Sequence, residues 1–317
     1  MTQTGSKRKD GRPLKLTQPF HSPFYAPLFV GLSRGHFAGE GLDVEVETSR
    51  PGHTTVDALL SGHAEIGLGG IMRSLDLADR RGGILPHFAE VNGRNGFFLL
   101  GRRPRPDFEW RDLLGATVIS FAEAPTPWQC MLTVLRRNGV DPARVTIRRD
   151  LPVADAVARF NAGEGDYLEQ AQPTTEQLLS SGQAYLVASM GDATGPVPFS
   201  SYMTTPRFLD EHPDVVLAFA RAVVRTQRYL ASRSAAEIAE AIGSAFPDVG
   251  SPLLTAIVER YLRQDTWTRT PVIARGGFEY LQQILLDGGF IGQRHRYEDL
   301  VNVDFARRAV TEVDAKG

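Results

Sequence analysis

The chain has 317 residues, 42% hydrophobic and 23% charged, with a formal net charge of −2. That length favours two lobes over one core, and that charge excludes a broad basic face for nucleic acid, since no stretch beyond Ser6–Arg12 is basic. A single cysteine, Cys130, excludes an internal disulfide, and no apolar run is long enough to insert directly into a membrane.

Residues 1–12 are polar and read as a disordered tail. The basic stretch within Met1–Leu16 precedes neither an apolar signal core nor a small-residue cleavage site. As written, the chain is expected in the cytoplasm; a signal lost or lying upstream would place it in the periplasm. Leu14–Thr17 reads as a strand, and Pro23–Ser33 as a helix stopped at Gly35. Leu42, Val44 and Val46 alternate with acidic residues, which predicts a half-buried strand. A helix over Thr54–Gly62, a strand over Ala64–Leu68, a helix over Ile71–Arg80 and a strand over Leu85–Val91 follow. Phe97–Gly101 is a further strand, and Arg102–Pro106 reads as a crossing linker.

A second βα series runs from Ala116 to Ser189, with strands at Ala116–Ser120, Val145–Arg149, Gly165–Glu169 and Ala184–Ser189. Helices are predicted at Pro127–Arg137, Val153–Phe160 and Thr174–Ser181. Phe199–Met203 reads as a strand returning to the first lobe, and the remainder is helical, with Pro213 at a first helical position and Ser234 with Glu237 as a capping box. Alternating strands and helices predict mostly parallel sheets. The expected division is 13–105 with 196–317 as a discontinuous first lobe, and 106–195 as the second. Ligands sit where strand ends and helix starts converge between such lobes.

The run His21-Ser22-Pro23-Phe24-Tyr25-Ala26-Pro27, continuing through Gly35-His36-Phe37 to Glu40-Gly41-Leu42-Asp43-Val44, resembles the opening of the SsuA/THI5-like (NMT1-like) family. The similarity continues at Ala58–Gly62, Ala64–Gly67, Trp110 with Asp112–Gly115, Gly163–Tyr167, Val197–Tyr202, Glu259-Arg260-Tyr261 and Asp265-Thr266-Trp267, over roughly residues 14–305. The resemblance implies an α/β, two-lobed periplasmic-binding-protein-like fold of type II with a ligand cleft. It also implies a small organic ligand, either a heteroaromatic such as a pyrimidine precursor or a sulfonate, and an ABC permease and ATPase as partners. The alternative is a cytoplasmic enzyme on the same scaffold, like the thiamine-pyrimidine synthase or the sulfinate desulfinase. Synthase-like relatives carry a cysteine cluster, and desulfinase-like relatives a cysteine in the loop after the first strand. Here that loop is Gln18–Ser22, and Cys130 is the only cysteine.

Candidate ligand-binding residues follow from position. Gln18, His21, Ser22 and Tyr25 occupy the loop after the first strand and the start of a helix. Gly69 and Gly70 end a strand where backbone can approach a ligand. Asn92 offers both a donor and an acceptor at a strand end. Glu123, Glu169 and Gln172 border the second lobe's strand ends, and Tyr202 lies in the returning strand. Most of these aromatics would equally serve as core, and Ser22 as a helix cap. Cys130, flanked by Met131 and Leu132, reads as a buried apolar residue. No histidine pair has metal-ligand spacing, and no glycine loop has a phosphate-binding signature. No metal, cofactor or catalytic residue is therefore assigned, and a monomer is expected. Arginine is sparse at the chosen loops, with Arg50 and Arg94 the nearest, which tilts the ligand toward a flat, mostly neutral ring held by stacking and by Asn92 or Glu169.

Overall fold

The protein is described by a computed structural model covering residues 11–49, 53–122 and 124–315. The first βα series comprises β1 (Arg12–Gln18), α1 (Ala26–Ser33), α2 (His36–Gly39), β2 (Leu42–Thr48), α3 (Thr55–Leu60), β3 (Ile66–Gly69), α4 (Ile71–Arg81) and β4 (His87–Asn92). The second comprises β5 (Phe98–Gly101), β6 (Thr117–Ile119), α5 (Pro125–Arg137), β7 (Thr146–Arg148), α6 (Val153–Asn161), β8 (Tyr167–Gln170), α7 (Thr174–Ser180), β9 (Tyr185–Ser189) and α8 (Met190–Thr194). The chain returns through β10 (Ser200–Met203) to α9 (Pro206–Glu211), α10 (Pro213–Ala231), α11 (Ala235–Ile242), α12 (Ser251–Arg263), α13 (Arg275–Asp287), α14 (Tyr297–Leu300) and α15 (Asp304–Asp314).

Each series closes its own five-stranded sheet, in the orders β2-β1-β3-β10-β4 and β7-β6-β8-β5-β9. β10 is antiparallel to both of its neighbours, β3 and β4, and β5 is antiparallel to β8 and β9. The remaining pairings are parallel, as alternating βα units require. Two-lobed α/β architecture of the type II binding-protein kind is therefore the fold.

The boundaries differ from expectation. β5 belongs to the second sheet, between β8 and β9, although the sequence placed Phe97–Gly101 in the first lobe. The chain crosses between β4 and β5, and Arg102–Pro106 lies beyond the crossing. Arg12 opens β1 opposite Leu42, so the first strand starts earlier than Leu14; residues 1–10 of the expected tail lie outside the described residues.

Local signals behave as their chemistry dictates. Ser234 and Glu237 form the reciprocal capping box at α11, and Thr54 with Asp57 forms another at α3. Gly35 takes a left-handed φ of 70° between α1 and α2, a conformation that costs other residues strain.

The C-terminal helices divide their contacts. α10 packs on α1 and α15, while α12 touches α7 and α13 touches both α5 and α4. Side chains bind the lobes where these elements meet. Arg260 of α12 grips the Glu176 carboxylate with Nε and Nη2, the latter at 3.0 Å. Arg137 of α5 donates to Tyr280 Oη of α13 at 2.7 Å.

Candidate functional site

Parallel strands point their carboxyl ends to one side of a sheet, and those ends carry the residues that can reach a ligand. In the first sheet they are Gln18, Thr48, Gly69 and Asn92. β3 passes directly into α4 through Gly70, an N-cap position with no side-chain bond. The first turn of α4 therefore keeps its positive end uncapped.

Arg73 stands in that turn, half-buried. Burial lowers its pKa, with the fields of Tyr25, Asp76 and Asp57 opposing. Among the described residues no hydrogen bond or ion pair holds its guanidinium. Met72, Arg73 and Asp76 share a cavity of about 290 Å³ with Pro125 and Phe290. Pro125 is the first residue of α5, whose N-cap Ala124 also lacks a side-chain bond. Two uncapped helix starts, one from each βα series, thus border the same space with a cation between them.

The second sheet contributes a row of polar residues. Ile119 pairs with Arg148 and with Leu168, so Arg149, Ser120 and Glu169 stand level across the ends of β7, β6 and β8. Ser120 Oγ donates to Glu169 Oε2. Glu169 is fully buried; burial raises its pKa to about 7, while the Ser120 hydrogen bond, the Arg149 charge and the Phe121 backbone N–H pull it down. Arg149 lies over the Trp128 ring, 4.9 Å from its centroid.

Residues 22–235 match the family described as NMT1/THI5 like. The chain belongs to the NMT1/THI5-like family. It is 30% identical over 302 residues to YtlA of Bacillus subtilis (strain 168), whose name calls it a binding protein, covering 94% of this chain and 90% of that one. Its fold is similar to the alkanesulfonate-binding protein SsuA of Xanthomonas axonopodis pv. citri bound to MOPS, with a TM-score of 0.72, 17% identity, and 92% and 98% of the two chains covered. It is similar also to a DSZB mutant in complex with biphenyl-2-sulfinic acid, at TM-score 0.69 and 15% identity over 95% of this chain and 99% of that one.

Against this family fold, the sequence-predicted residues separate into those that keep an unpaired side-chain atom and those whose hydrogen-bonding capacity is spent within the molecule. Gln18 is buried at the end of β1; its Nε2 donates to Thr48 Oγ1 at 3.3 Å, and its Oε1 has no partner. Asn92 donates to the Phe24 carbonyl at 2.9 Å and keeps Oδ1 unpaired. Tyr25 stacks on Phe20, with ring centroids 5.2 Å apart, and lies close enough to Arg73 and Ser200 to feel both. Gly69 has only Met203 Cε near its absent Cβ, whereas Gly70 meets the Phe199 carbonyl at 3.2 Å. Gly70 therefore lets the returning chain pass close by.

Four of the predicted residues are engaged within the molecule. His21 is exposed but its ring is engaged: Nε2 donates to the Ala245 carbonyl at 2.7 Å, Nδ1 lies 3.4 Å from Gln18 Nε2, and the ring packs on Phe29 and Phe246. Ser22 Oγ is spent on the Gln172 carbonyl, at 3.1 Å, which ties one series to the other. The Gln172 amide is taken up by Glu176, through Oε1 to the backbone N at 3.0 Å and through Nε2 to the carboxylate at 3.4 Å. Tyr202 is core, 4.8 Å from Phe219 and 6.4 Å from Phe88 between ring centroids. Glu123 and Arg50 lie outside the described residues.

Cys130 is buried as expected, and desolvation pushes its thiol up to about 12. That is unsuited to a nucleophile. Arg94 donates to the Gly191 carbonyl at 3.4 Å. Sequence reasoning missed Arg73, Ser120 and Arg149. The signal was available: Arg73 lies three residues past Gly70, in a helix's first turn, and the other two immediately follow strands.

Proposed function

We propose that this protein is the solute-binding component of an ABC-type importer and holds one small organic anion between its lobes. The observation that carries this is Arg73. Asp57 and Asp76 line the same cavity, but neither pairs directly with the half-buried Arg73 guanidinium, and an anion seated against it and the two uncapped helix starts would supply the missing hydrogen bonds. Arg73 and Arg149 also remove the premise of an arginine-poor cleft, which had favoured a neutral ring. A sulfonate or carboxylate on a flat or apolar body fits better, with the partly buried Phe20 stacked on the buried Tyr25 as an apolar neighbour. Family membership supports the reading, as does the sulfonate named for the SsuA relative. Closure would be a hinge motion that the solute stabilises by touching both lobes, with a permease and an ATPase as partners.

Mass spectrometry of small molecules released from the denatured, purified protein tests the ligand class directly. Calorimetry of Arg73→Gln against the released anion should show roughly 10- to 100-fold weaker binding, the range expected for hydrogen bonds to a charged group. An uncharged released molecule, or unaltered affinity in the variant, would refute the proposal.

A further inference from the structure

We infer that the second lobe reads the far end of the solute through Glu169 and Arg149, selecting molecules that present a hydrogen-bond donor beside an acceptor. A primary amide or an amino group next to a ring nitrogen has that edge. The inference rests on the cleft being a solute site.

The row Arg149–Ser120–Glu169 is incomplete as it stands. Ser120 occupies Oε2 of Glu169, but Oε1 is buried without a hydrogen-bond partner. Arg149 Nε is likewise buried and unpartnered, as is Gln170 Nε2 on the next residue of β8. The side chain of Gln170 turns to the other face of the strand, so Glu169 Oε1 and Arg149 Nε are the two orphans of the row, and a bound group that pairs with both relieves their cost.

The two charged groups are near enough for Arg149 to lower the pKa of Glu169, yet among the described residues no hydrogen bond or salt bridge joins them. Trp128 holds the Arg149 guanidinium by its face, 4.9 Å from the ring centroid, which leaves the guanidinium edge for a planar acceptor. Glu169 Oε1 is the matching acceptor for a donor on the same edge. A single charged group cannot complete the row: an anion would face Glu169, and a cation Arg149. An edge that carries both functions suits both.

The row lies at the end of the sheet from which α5 departs, and Pro125 at the start of α5 borders the Arg73 cavity. A solute anchored by its anion at Arg73 would have to extend past the start of α5 to reach the row. A site built to hydrogen-bond a polar edge rejects the analogue lacking it more strongly than an apolar pocket rejects a changed methyl.

Isothermal titration calorimetry on the full chain tests this with two matched pairs. These are benzenesulfonate against 3-carbamoylbenzenesulfonate, and benzoate against 2-aminopyrimidine-5-carboxylate. Within at least one pair, the donor–acceptor member should bind tenfold or more tightly. Glu169→Gln should cut that preference below threefold, and Arg149→Met does the same if the first variant fails to fold. Equal binding within both pairs, or a preference that survives in a folded variant, overturns the inference and leaves the importer reading intact. Binding of none of the four anions overturns both.

Discussion

Glu90 permits a quantitative test of how burial sets the stability of this fold. It lies in β4, 7% exposed, and no hydrogen bond reaches its carboxyl group among the described residues. Its main chain is well paired, accepting from Gln227 Nε2 at 2.9 Å. Burial raises the pKa from 4.5 to about 8. The folded value exceeds the unfolded one, so this group's contribution is fully present below about pH 4.5 and lost as pH rises through about 8. That difference, at about 1.36 kcal/mol per unit, sets a ceiling of about 5 kcal/mol. Glu90→Gln keeps the shape and removes the ionisation. Urea titrations should therefore give the variant and the wild type similar stabilities at pH 4, with the variant ahead by several kcal/mol at pH 9. Glu169 contributes the same trend to both proteins and cancels in the difference. A stability difference that does not change with pH, or a variant that is weaker at pH 9, would refute the reasoning.

Other perturbations separate structural from binding roles. Glu176→Gln should destabilise the protein by about 3 kcal/mol, because Arg260 is left without its carboxylate, and should enlarge the solute-free particle in X-ray scattering. An unchanged scattering profile would remove this pair from the lobe contact. Tyr202→Ala should cost about 3–5 kcal/mol by opening the Phe88–Phe219 core, with solute affinity within twofold of wild type. A selective loss of affinity would return Tyr202 to the cleft. A thiol reagent at pH 8 should label Cys130 no faster than the protein opens, since the thiol is buried and pushed up to about 12. Rapid labelling in the absence of denaturant would show that Cys130 is accessible.

Periodicity and capping were legible in the sequence because they act over a few residues. The alternation at Leu42–Val46 and the Ser234–Glu237 box needed no partner to be recognised. The assignment of β5 was not legible: Phe98–Gly101 is a short apolar run, and such a run carries no record of which sheet it joins. The Pro- and Arg-rich segment after it imitated a boundary. At the candidate site, Asn92 and Glu169 are legible as polar residues at strand ends, whereas Arg73 is not, because a charged residue in the first turn of a helix reads as an ordinary solvated position. Ser22 and Gln172 lie where the two series meet, and their hydrogen-bonding capacity is consumed there. Spacing alone does not distinguish a free amide from one already satisfied four residues on. The conspicuous motif at Glu259–Tyr261 and Trp267 likewise serves cohesion: Arg260 binds Glu176, and Trp267 Nε1 donates to the Phe24 carbonyl at 3.0 Å.

The insertion of β10 between β3 and β4 has a consequence for synthesis. A ribosome that has released residues through Ser189 has supplied every described strand of the second sheet, whereas β4 of the first still lacks β10, the strand it pairs with. Domains tend to fold as their segments emerge. The lobe encoded in the middle of the gene is thus able to form before the lobe that contains the N-terminus, which must wait, with one buried strand unpaired, for residues 200–203.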